Sequence, residues 1–354
     1  MPSPSTSTAG SVSVGGKRVE CDEDQSILEA FLRAGVWMPN SCNQGTCGTC
    51  KLAVLSGEVD HRDSPLETLS EDERAAGLAL ACQARPCGDA EVALRGDMAN
   101  RATHPLKDLS ATVVGIEDIA RDTRRILLGL DEPLAFSAGQ YVELVVPGSG
   151  ERRQYSMANT ASEDKVLELH VRRVPDGVAS DKWLFGSVAV GDRVEAVGPL
   201  GDFHVVDESD DGGEPMALIG GGTGLAPLVA IVRTALARHP DRQILLYHGV
   251  RGQADLYDVD QLDALAAKHP GFTFVPVLSD EPDPERRSGF PTDAFVEDVS
   301  AAKGWSGWLC GPPPMVEAGV KAFKRRRMAP RLIHREKFTP ADALTPAPPT
   351  NEEA

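Results

Sequence analysis

Residues 39–51 read Pro39-Asn40-Ser41-Cys42-Asn43-Gln44-Gly45-Thr46-Cys47-Gly48-Thr49-Cys50-Lys51. Three cysteines stand at x4 and x2 spacing, and Cys82 follows well downstream. That is the ligand spacing of a plant-type 2Fe–2S cluster, in which four thiolates converge on two irons and a short loop supplies three of them. Gly45 and Gly48 let the backbone turn tightly, so its N–H groups can point at the sulfurs. A zinc site or a disulfide set is the alternative. Structural zinc usually takes two C-x2-C pairs, and the second pair is missing. Cys42, Cys47, Cys50 and Cys82 are therefore the expected metal ligands.

The flanking residues supply a scaffold for this loop. Val12 to Cys21 reads as two strands about the Gly15-Gly16 turn. Ser26-Ile-Leu-Glu29 is a capping box, predicting a helix from about Ile27 to Ala34 that stops at Gly35. Leu52–Leu55 is a strand, and Ser70-Glu-Asp-Glu73 caps a short helix leading toward Cys82. Glu91–Leu94 is a last strand. Strands packed on a helix, with a cysteine loop over one end, make a β-grasp ferredoxin domain over residues 11–98. Cys21 and Cys87 fall outside the spacing and read as core or surface residues. Residues 1–10 and 340–354 read as disordered. Gly96 to Leu109 reads as a linker, because the hydrophobic pattern restarts at Ala111.

With 354 residues, 41% of them hydrophobic, the chain has room for two or three domains. No apolar run approaches the roughly eighteen residues that cross a bilayer. No basic segment followed by an apolar one opens the chain, so no signal peptide is visible. Seven cysteines, four in a cluster pattern, fit a reducing compartment, and a cytoplasmic location is expected. The formal net charge of −17 repels phosphate and argues against nucleic acid as a partner. Residues 1–100 alone hold eight Lys/Arg against fifteen Asp/Glu. Such a balance serves solubility, or steers the cluster domain onto a basic partner.

From Ala111 to about Phe203 the chain alternates strands and turns: Thr112–Ile116, Arg124–Leu130, Gln140–Val146, Val166–Val174 and Arg193–Val197. An antiparallel β-barrel is expected over residues 107–205. Within it, Arg153-Gln154-Tyr155-Ser156 follows Gly139-Gln-Tyr-Val142 and precedes Leu167-Glu-Leu-His170-Val171. This order resembles the flavin domain of the ferredoxin–NAD(P)+ reductase superfamily. The resemblance implies that Arg153 pairs with the FAD pyrophosphate, where a guanidinium fork suits phosphate. It places Tyr155 on the isoalloxazine and Ser156 near N5, with Gln154, His170 and Val171 lining the cofactor. Gly177-Val178-Ala179-Ser180 matches the family's later turn, where a helix N-terminus helps hold the pyrophosphate.

Residues 214–338 read as a parallel α/β nicotinamide domain. The strand Met216–Ile219 runs into Gly220-Gly221-Gly222-Thr223-Gly224-Leu-Ala-Pro227 and then a helix to about Ala237. A glycine-rich turn between strand and helix lets phosphate reach bare N–H groups at the positive helix end. Strands at Ile244–Tyr247, Phe272–Leu278 and Gly307–Cys310 follow, and His248-Gly249 closes the first of these. Cys310-Gly311-Pro312-Pro-Pro-Met315 resembles the superfamily's cysteine-glycine-proline motif, which implies Cys310 beside the nicotinamide. Its place at the carboxyl end of a strand agrees with ligand binding in open α/β sheets. By the same resemblance Glu336 joins Ser156 and Cys310 as catalytic groups around the hydride path, and Phe338 lies near the flavin. The basic run Lys321, Lys324, Arg325, Arg326, Arg327 and Arg331 reads as a solvated helix end. A single cation, Arg251, beside the acid Asp255 favours NADH over NADPH.

Nicotinamide gives two electrons at once and a 2Fe–2S cluster takes one. Flavin trades in both, so the domain order implies a circuit from NADH to FAD to the cluster to an outside acceptor. The order resembles single-chain reductases of bacterial oxygenases. The stretches Val36–Cys50 and Val320–Met328 closely resemble the reductase component of two-component cytochrome P-450 aromatic O-demethylases. That resemblance implies a haem-thiolate partner that O-demethylates methoxylated aromatics such as guaiacol, docking near the cluster. A Rieske dioxygenase or a diiron phenol hydroxylase is the alternative acceptor. A redox-responsive binding protein, or a flavin reductase with an idle cluster domain, are the readings of other kinds. Cys47→Ser separates the last of these. We expect it to abolish cytochrome c reduction while ferricyanide reduction by the flavin persists; equal rates for both acceptors would mean electrons bypass the cluster.

Overall fold

Ser26 caps the first helix as its sequence predicts. Its hydroxyl accepts from the Glu29 amide at 3.2 Å, and the Glu29 carboxylate accepts from the Ser26 amide at 3.3 Å. The structure, a computed structural model, describes residues 8–94, 104–161, 165–205, 212–281, 283–284 and 286–339. The chain divides into two units, Met1–Glu117 with Arg124–Asp211, and Asp118–Thr123 with Gly212–Ala354. Among the described residues no helix is long and apolar enough to cross a membrane.

The first unit begins with β1 (Thr8–Val14), β2 (Lys17–Asp22), α1 (Ile27–Arg33), β3 (Lys51–Ser56) and β4 (Val59–Asp60). It continues through α2 (Glu71–Ala75), β5 (Leu78–Leu80), β6 (Arg85–Pro86) and β7 (Gly88–Leu94). These make a mixed sheet of order β2-β1-β7-β3-β5, with β1 parallel to β7 and the other pairs antiparallel. A seven-residue helix is too short to persist alone. Its buried stripe of Ile27, Leu28, Phe31 and Leu32 holds it in the core instead. This is the expected β-grasp. The short β4–β6 pair has no periodicity to announce it.

The second sheet of this unit is built from β8 (Lys107–Ala120), β9 (Thr123–Leu130), β10 (Tyr141–Val145), β11 (Arg152–Ser156), β12 (Val166–Arg172) and β13 (Arg193–Leu200). Its order is β11-β10-β13-β8-β9-β12, and a bridge between Met157 and Leu169 brings the two ends together into the expected antiparallel barrel. Alternate residues such as Val113, Ile126, Leu144, Leu167 and Leu169 fill the interior. The linker reading fails at its C-terminal part. Leu106 and Leu109 are buried, and β8 already runs from Lys107, because these leucines pack on cores that the local pattern does not display. Residues 96–103 of that stretch lie outside the described residues, as do 1–7 and 340–354; Thr8–Gly10, expected to be disordered, instead begin β1, because they pair with the end of β2.

The second unit holds β14 (Met216–Gly221), α3 (Leu225–Arg238), β15 (Ile244–Val250), α4 (Val259–Lys268), β16 (Phe272–Leu278) and β17 (Arg287–Ser288). Next come α5 (Pro291–Asp298), β18 (Ser306–Gly311), α6 (Pro313–Arg325) and β19 (Ile333–Lys337). All six strands are parallel, in the order β17-β16-β15-β14-β18-β19. Both faces of β14 are covered. Ala217 and Ile219 join the cluster of Phe295 on α5 and Phe323 on α6, while a Cβ on Gly220 would meet Leu228 of α3. Strand order reverses between β14 and β18, which creates a crevice at their carboxyl ends. The basic run over the end of α6 and just beyond it is mostly exposed, but Arg326 turns inward and donates to the Val296 carbonyl.

Phe295 is fully buried, edge-on to Tyr247 at 6.1 Å and to Phe323 at 4.8 Å. We expect Phe295→Ala to cost the second unit about 3–5 kcal/mol. Denaturant unfolding should show it as a lower midpoint, with the cluster's visible absorbance unchanged at concentrations that unfold this unit.

Candidate functional site

The cysteine loop is shaped by its glycines, as Gly45 and Gly48 take φ of 81° and 72°. Backbone amides then face the sulfurs. Gln44 and Cys47 donate to the Cys42 sulfur at 3.5 and 3.4 Å, and Thr49 donates to the Cys47 sulfur at 3.4 Å. The sulfurs of Cys50 and Cys82 lie 3.2 Å apart, and all seven cysteines are free thiols. The Cys47 thiol is the main influence lowering Cys42, to about 5, against the opposing effect of burial. The Cys82 thiol likewise lowers Cys50, and Cys47 and Cys82 are raised in turn. Thiols must give up their protons to ligate a metal, so metal binding at this loop would release protons. Four thiols with amides aimed at sulfur fit an iron–sulfur cluster. Cys21 and Cys87 stand apart from the loop, Cys21 fully buried and Cys87 exposed.

The loop has two distinct sides. Cys47 is exposed, as are Gln44 and Thr49. The backbone at Cys42 instead faces the barrel, where the Gln154 side-chain amide donates to the Cys42 carbonyl at 2.5 Å. Gln154, expected at the flavin, thus also reaches the cluster loop, and the same nitrogen donates to Glu143 at 3.1 Å within the barrel.

Its neighbours on β11 are set by strand alternation. Tyr155 packs partly on the barrel core, and burial pushes its phenol up. Ser156 is buried at the end of the strand. The Arg153 guanidinium pairs with Glu151 and donates to the Arg152 carbonyl at 3.0 Å. Val171 and Ala179 have their side chains inside the barrel core, which leaves their backbones for any ligand. His170 lies 2.8 Å from Glu168, which Arg125 also holds at 2.9 Å. Gly177 opens a π-helix, Val178–Ser187, whose Lys182 amide bonds the Gly177 carbonyl at 3.0 Å. A Cβ on Gly177 would sit 2.8 Å from the Ser180 hydroxyl, which itself caps the Val174 amide at 3.1 Å. The first-turn N–H groups of this helix have no carbonyl of their own helix to bond. Such first-turn donors suit a phosphate group, as does a guanidinium like that of Arg153.

In the second unit the switch-point crevice gathers the predicted residues. Gly221, Gly222, Thr223 and Gly224 connect β14 to α3. A Cβ on Gly224 would lie 2.2 Å from the Cys310 carbonyl, and one on Gly221 would meet Pro312 and Met315 within 3 Å. These two glycines let β14 and β18 close up as bare backbone, while a Cβ on Gly222 would meet open space at the start of the helix, where a phosphate can reach N–H groups. His248 is fully buried with Nε2 3.0 Å from the Gly222 carbonyl, and Tyr257 packs edge-on against it. His248 thus braces the glycine turn, and Gly249 lets Pro291 approach the strand. Cys310 and Glu336 are register partners on β18 and β19, their side chains 4.0 Å apart. Burial first, and the Glu336 carboxylate second, push the Cys310 thiol well up, so it stays protonated. The Phe338 amide bonds the Gly311 carbonyl at 2.9 Å.

Asp255 corrects part of the NADH argument. It is buried in a bidentate pair with Arg121, at 2.9 and 2.5 Å, and accepts from the Gly252 amide at 3.1 Å. Its charge is already answered, so only the exposed Arg251 remains of that comparison. Arg121 lies far away in sequence and gave no local signal. Asp202 and Tyr141 bond Asn40 and Ser41 of the cluster loop from equally far along the chain, and they gave no local signal for the same reason.

The fold and these sites define a flavin- and nicotinamide-dependent iron–sulfur reductase. Three family models match: the 2Fe-2S iron-sulfur cluster binding domain over residues 12–87, the oxidoreductase FAD-binding domain over 110–205 and the oxidoreductase NAD-binding domain over 218–321. The aromatic O-demethylase reductase subunit of Amycolatopsis sp. (strain ATCC 39116 / 75iv2) is 75% identical over 93% of this chain and 98% of its own length. The phenol 2-monooxygenase reductase component DmpP of Pseudomonas sp. (strain CF600) is 37% identical over 92% and 93%. A crystal structure of an Amycolatopsis cytochrome P450 reductase, GcoB, matches with a TM-score of 0.92 at 75% identity, covering 94% of this chain and 99% of that one. The chain belongs to the family of oxygenase reductase components that includes the aromatic O-demethylase reductase subunit. It is an oxidoreductase with 2Fe–2S, FAD and NAD-binding domains.

Gly224→Ala tests the nicotinamide cradle. The added methyl must push β18 from the glycine turn, so we expect KM for NADH to rise roughly tenfold or more, a loss of at least about 1.4 kcal/mol. Flavin and cluster absorbance should be unchanged. An unaltered KM would remove the turn from nicotinamide binding.

Proposed function

We propose that this chain is the NADH-dependent reductase of a two-component aromatic O-demethylase, delivering electrons singly to a cytochrome P-450. The observation that carries the reading is 75% identity to an aromatic O-demethylase reductase subunit across nearly the whole of both chains. Residues 11–98 hold the cluster, 107–205 the FAD and 214–338 the nicotinamide. The bound cofactors supply the redox chemistry: a hydride donor, a carrier of both pairs and single electrons, and a one-electron outlet.

The chain's own residues position and insulate these groups. Cys42, Cys47, Cys50 and Cys82 ligate the irons, and the amides of Gln44, Cys47 and Thr49 stabilise charge on sulfur. Arg153 and the first-turn amides after Gly177 would hold the pyrophosphate of the FAD. Tyr155 and Ser156 would lie against its isoalloxazine. Cys310 remains a neutral thiol, which suits a group that lies beside the nicotinamide ring without carrying charge. Glu336, buried beside it, orients that thiol. With one NADH supplying two electrons, each oxidation serves two deliveries.

The exposed Cys47 edge is the exit. A groove beside it is lined by Thr46, Gly48, Thr49, Lys51, Glu67 and Thr68, and the domain around it is acidic. A basic face on the P-450 would dock there, in a reducing cytoplasm.

The test is anaerobic. The protein and NADH are mixed with a purified aromatic O-demethylating P-450 under carbon monoxide. We expect fast growth of the ferrous–CO Soret band, slowed severalfold by raising salt from low to about 0.5 M, because screening shortens the reach of the acidic surface. Normal bleaching of flavin and cluster with haem left ferric would overturn the partner assignment and leave the reductase intact.

A further inference from the structure

Three consecutive carbonyls of the cluster loop are held by the barrel. The Asn40 carbonyl accepts from the Asp202 amide at 3.0 Å, that of Ser41 from the Tyr141 hydroxyl at 2.6 Å, and that of Cys42 from the Gln154 side chain at 2.5 Å. The contact is reciprocal at Asp202. Its carboxylate accepts from the Asn40 amide and the Trp37 indole, both at 2.9 Å, and from the Asn40 side chain at 3.4 Å. The Asn40 side-chain oxygen accepts in turn from the Gly201 amide at 2.7 Å. Asn40 is 3% exposed and Asp202 half-buried, so water reaches this network only in part.

The surrounding packing is continuous. Tyr141, Val197, Leu200 and Leu106 share one apolar cluster with Leu28, Leu32 and Met38. Outside it, Arg33 pairs with Asp108 and Arg152 with Glu29, both partly exposed. Such surface pairs contribute little, about 0–1 kcal/mol each. The half-buried Asp202 carboxylate and the run of carbonyl bonds carry the specificity.

The chemistry of the contact distinguishes it from ordinary core packing. All three tethered carbonyls lie at or just before the first iron ligand, and the tether from Cys42 leads to Gln154 on the strand that carries Tyr155 and Ser156. Charge transfer between fixed centres falls steeply with distance, so a loop free to shift would lose rate in proportion to its wandering. A loop held only at this inner edge still leaves Cys47 exposed to a partner.

We propose that Asp202 and Tyr141 are positioning residues for flavin-to-cluster electron transfer, locking the inner edge of the cluster loop onto the flavin barrel so that the two move as one body during turnover. The proposal rests on the FAD and 2Fe–2S cofactors of the reading above and not on its acceptor, and its test needs no partner protein.

Two readouts on the loaded protein test it. Hydrogen exchange of the peptide spanning residues 36–42 reports the tether directly. Anaerobic stopped-flow with NADH separates flavin bleaching from cluster bleaching. In Asp202→Ala we expect exchange at Asn40 to quicken at least tenfold and cluster reduction to slow at least tenfold. Flavin reduction and ferricyanide turnover should hold their rates. Asp202→Asn, which keeps one acceptor oxygen, should recover part of both losses. Tyr141→Phe keeps the ring in the core and removes only the hydroxyl, so it decides the matter if Asp202→Ala does not assemble; a severalfold slowing of the cluster phase alone is expected. Faster exchange with an unchanged cluster phase in either variant would make the contact merely structural and overturn the proposal. So would wild-type exchange at Asn40 as fast as that of an exposed loop.

Discussion

The carbonyls of Asn40, Ser41 and Cys42 each accept a hydrogen bond from the barrel. Buried carbonyls without partners would cost free energy comparable to lost hydrogen bonds, so the loop and the barrel specify one another. A cysteine loop that wraps a cluster has little apolar surface of its own. Its stability must come from what it is attached to: the glycine turns within, the β-grasp sheet beneath and the flavin barrel at its inner edge.

That constraint gives the loop a direction. The side at Cys42 is occupied by barrel contacts, and the side at Cys47 and Thr49 meets solvent. A two-sided loop suits a relay, because the inward edge can be rigid while the outward edge stays open to a transient partner. The acidic balance of this domain sets the field around that open edge.

The nicotinamide unit solves a separate problem by other means. Its sheet reverses order between β14 and β18, and glycines at positions 221, 224 and 311 let the two strand ends approach each other as bare backbone. Cys310 and Glu336 face each other because their strands are adjacent and in register. Neither residue's environment exists without the sheet. Burial keeps the thiol protonated, and the strand pairing gives it a carboxylate neighbour.

The local chemistry of this protein was legible in its sequence. Cysteine spacing, two capping boxes, the glycine turn after β14 and alternating strands each depend on residues a few positions apart, and the structure reproduces the three-part α+β and α/β architecture they imply. Contacts between distant residues were not legible. Asp255 looked like an acid beside Arg251 and is the partner of Arg121. Gln154 sits in a flavin motif and gives its side chain to Cys42, and Leu106 looked like linker and is core. A carboxylate or an amide carries no mark of the partner it will meet. Sequence fixes which groups a segment offers, through backbone preference and hydrophobic period, whereas only the folded chain decides which donor faces which acceptor once water has been excluded from between them.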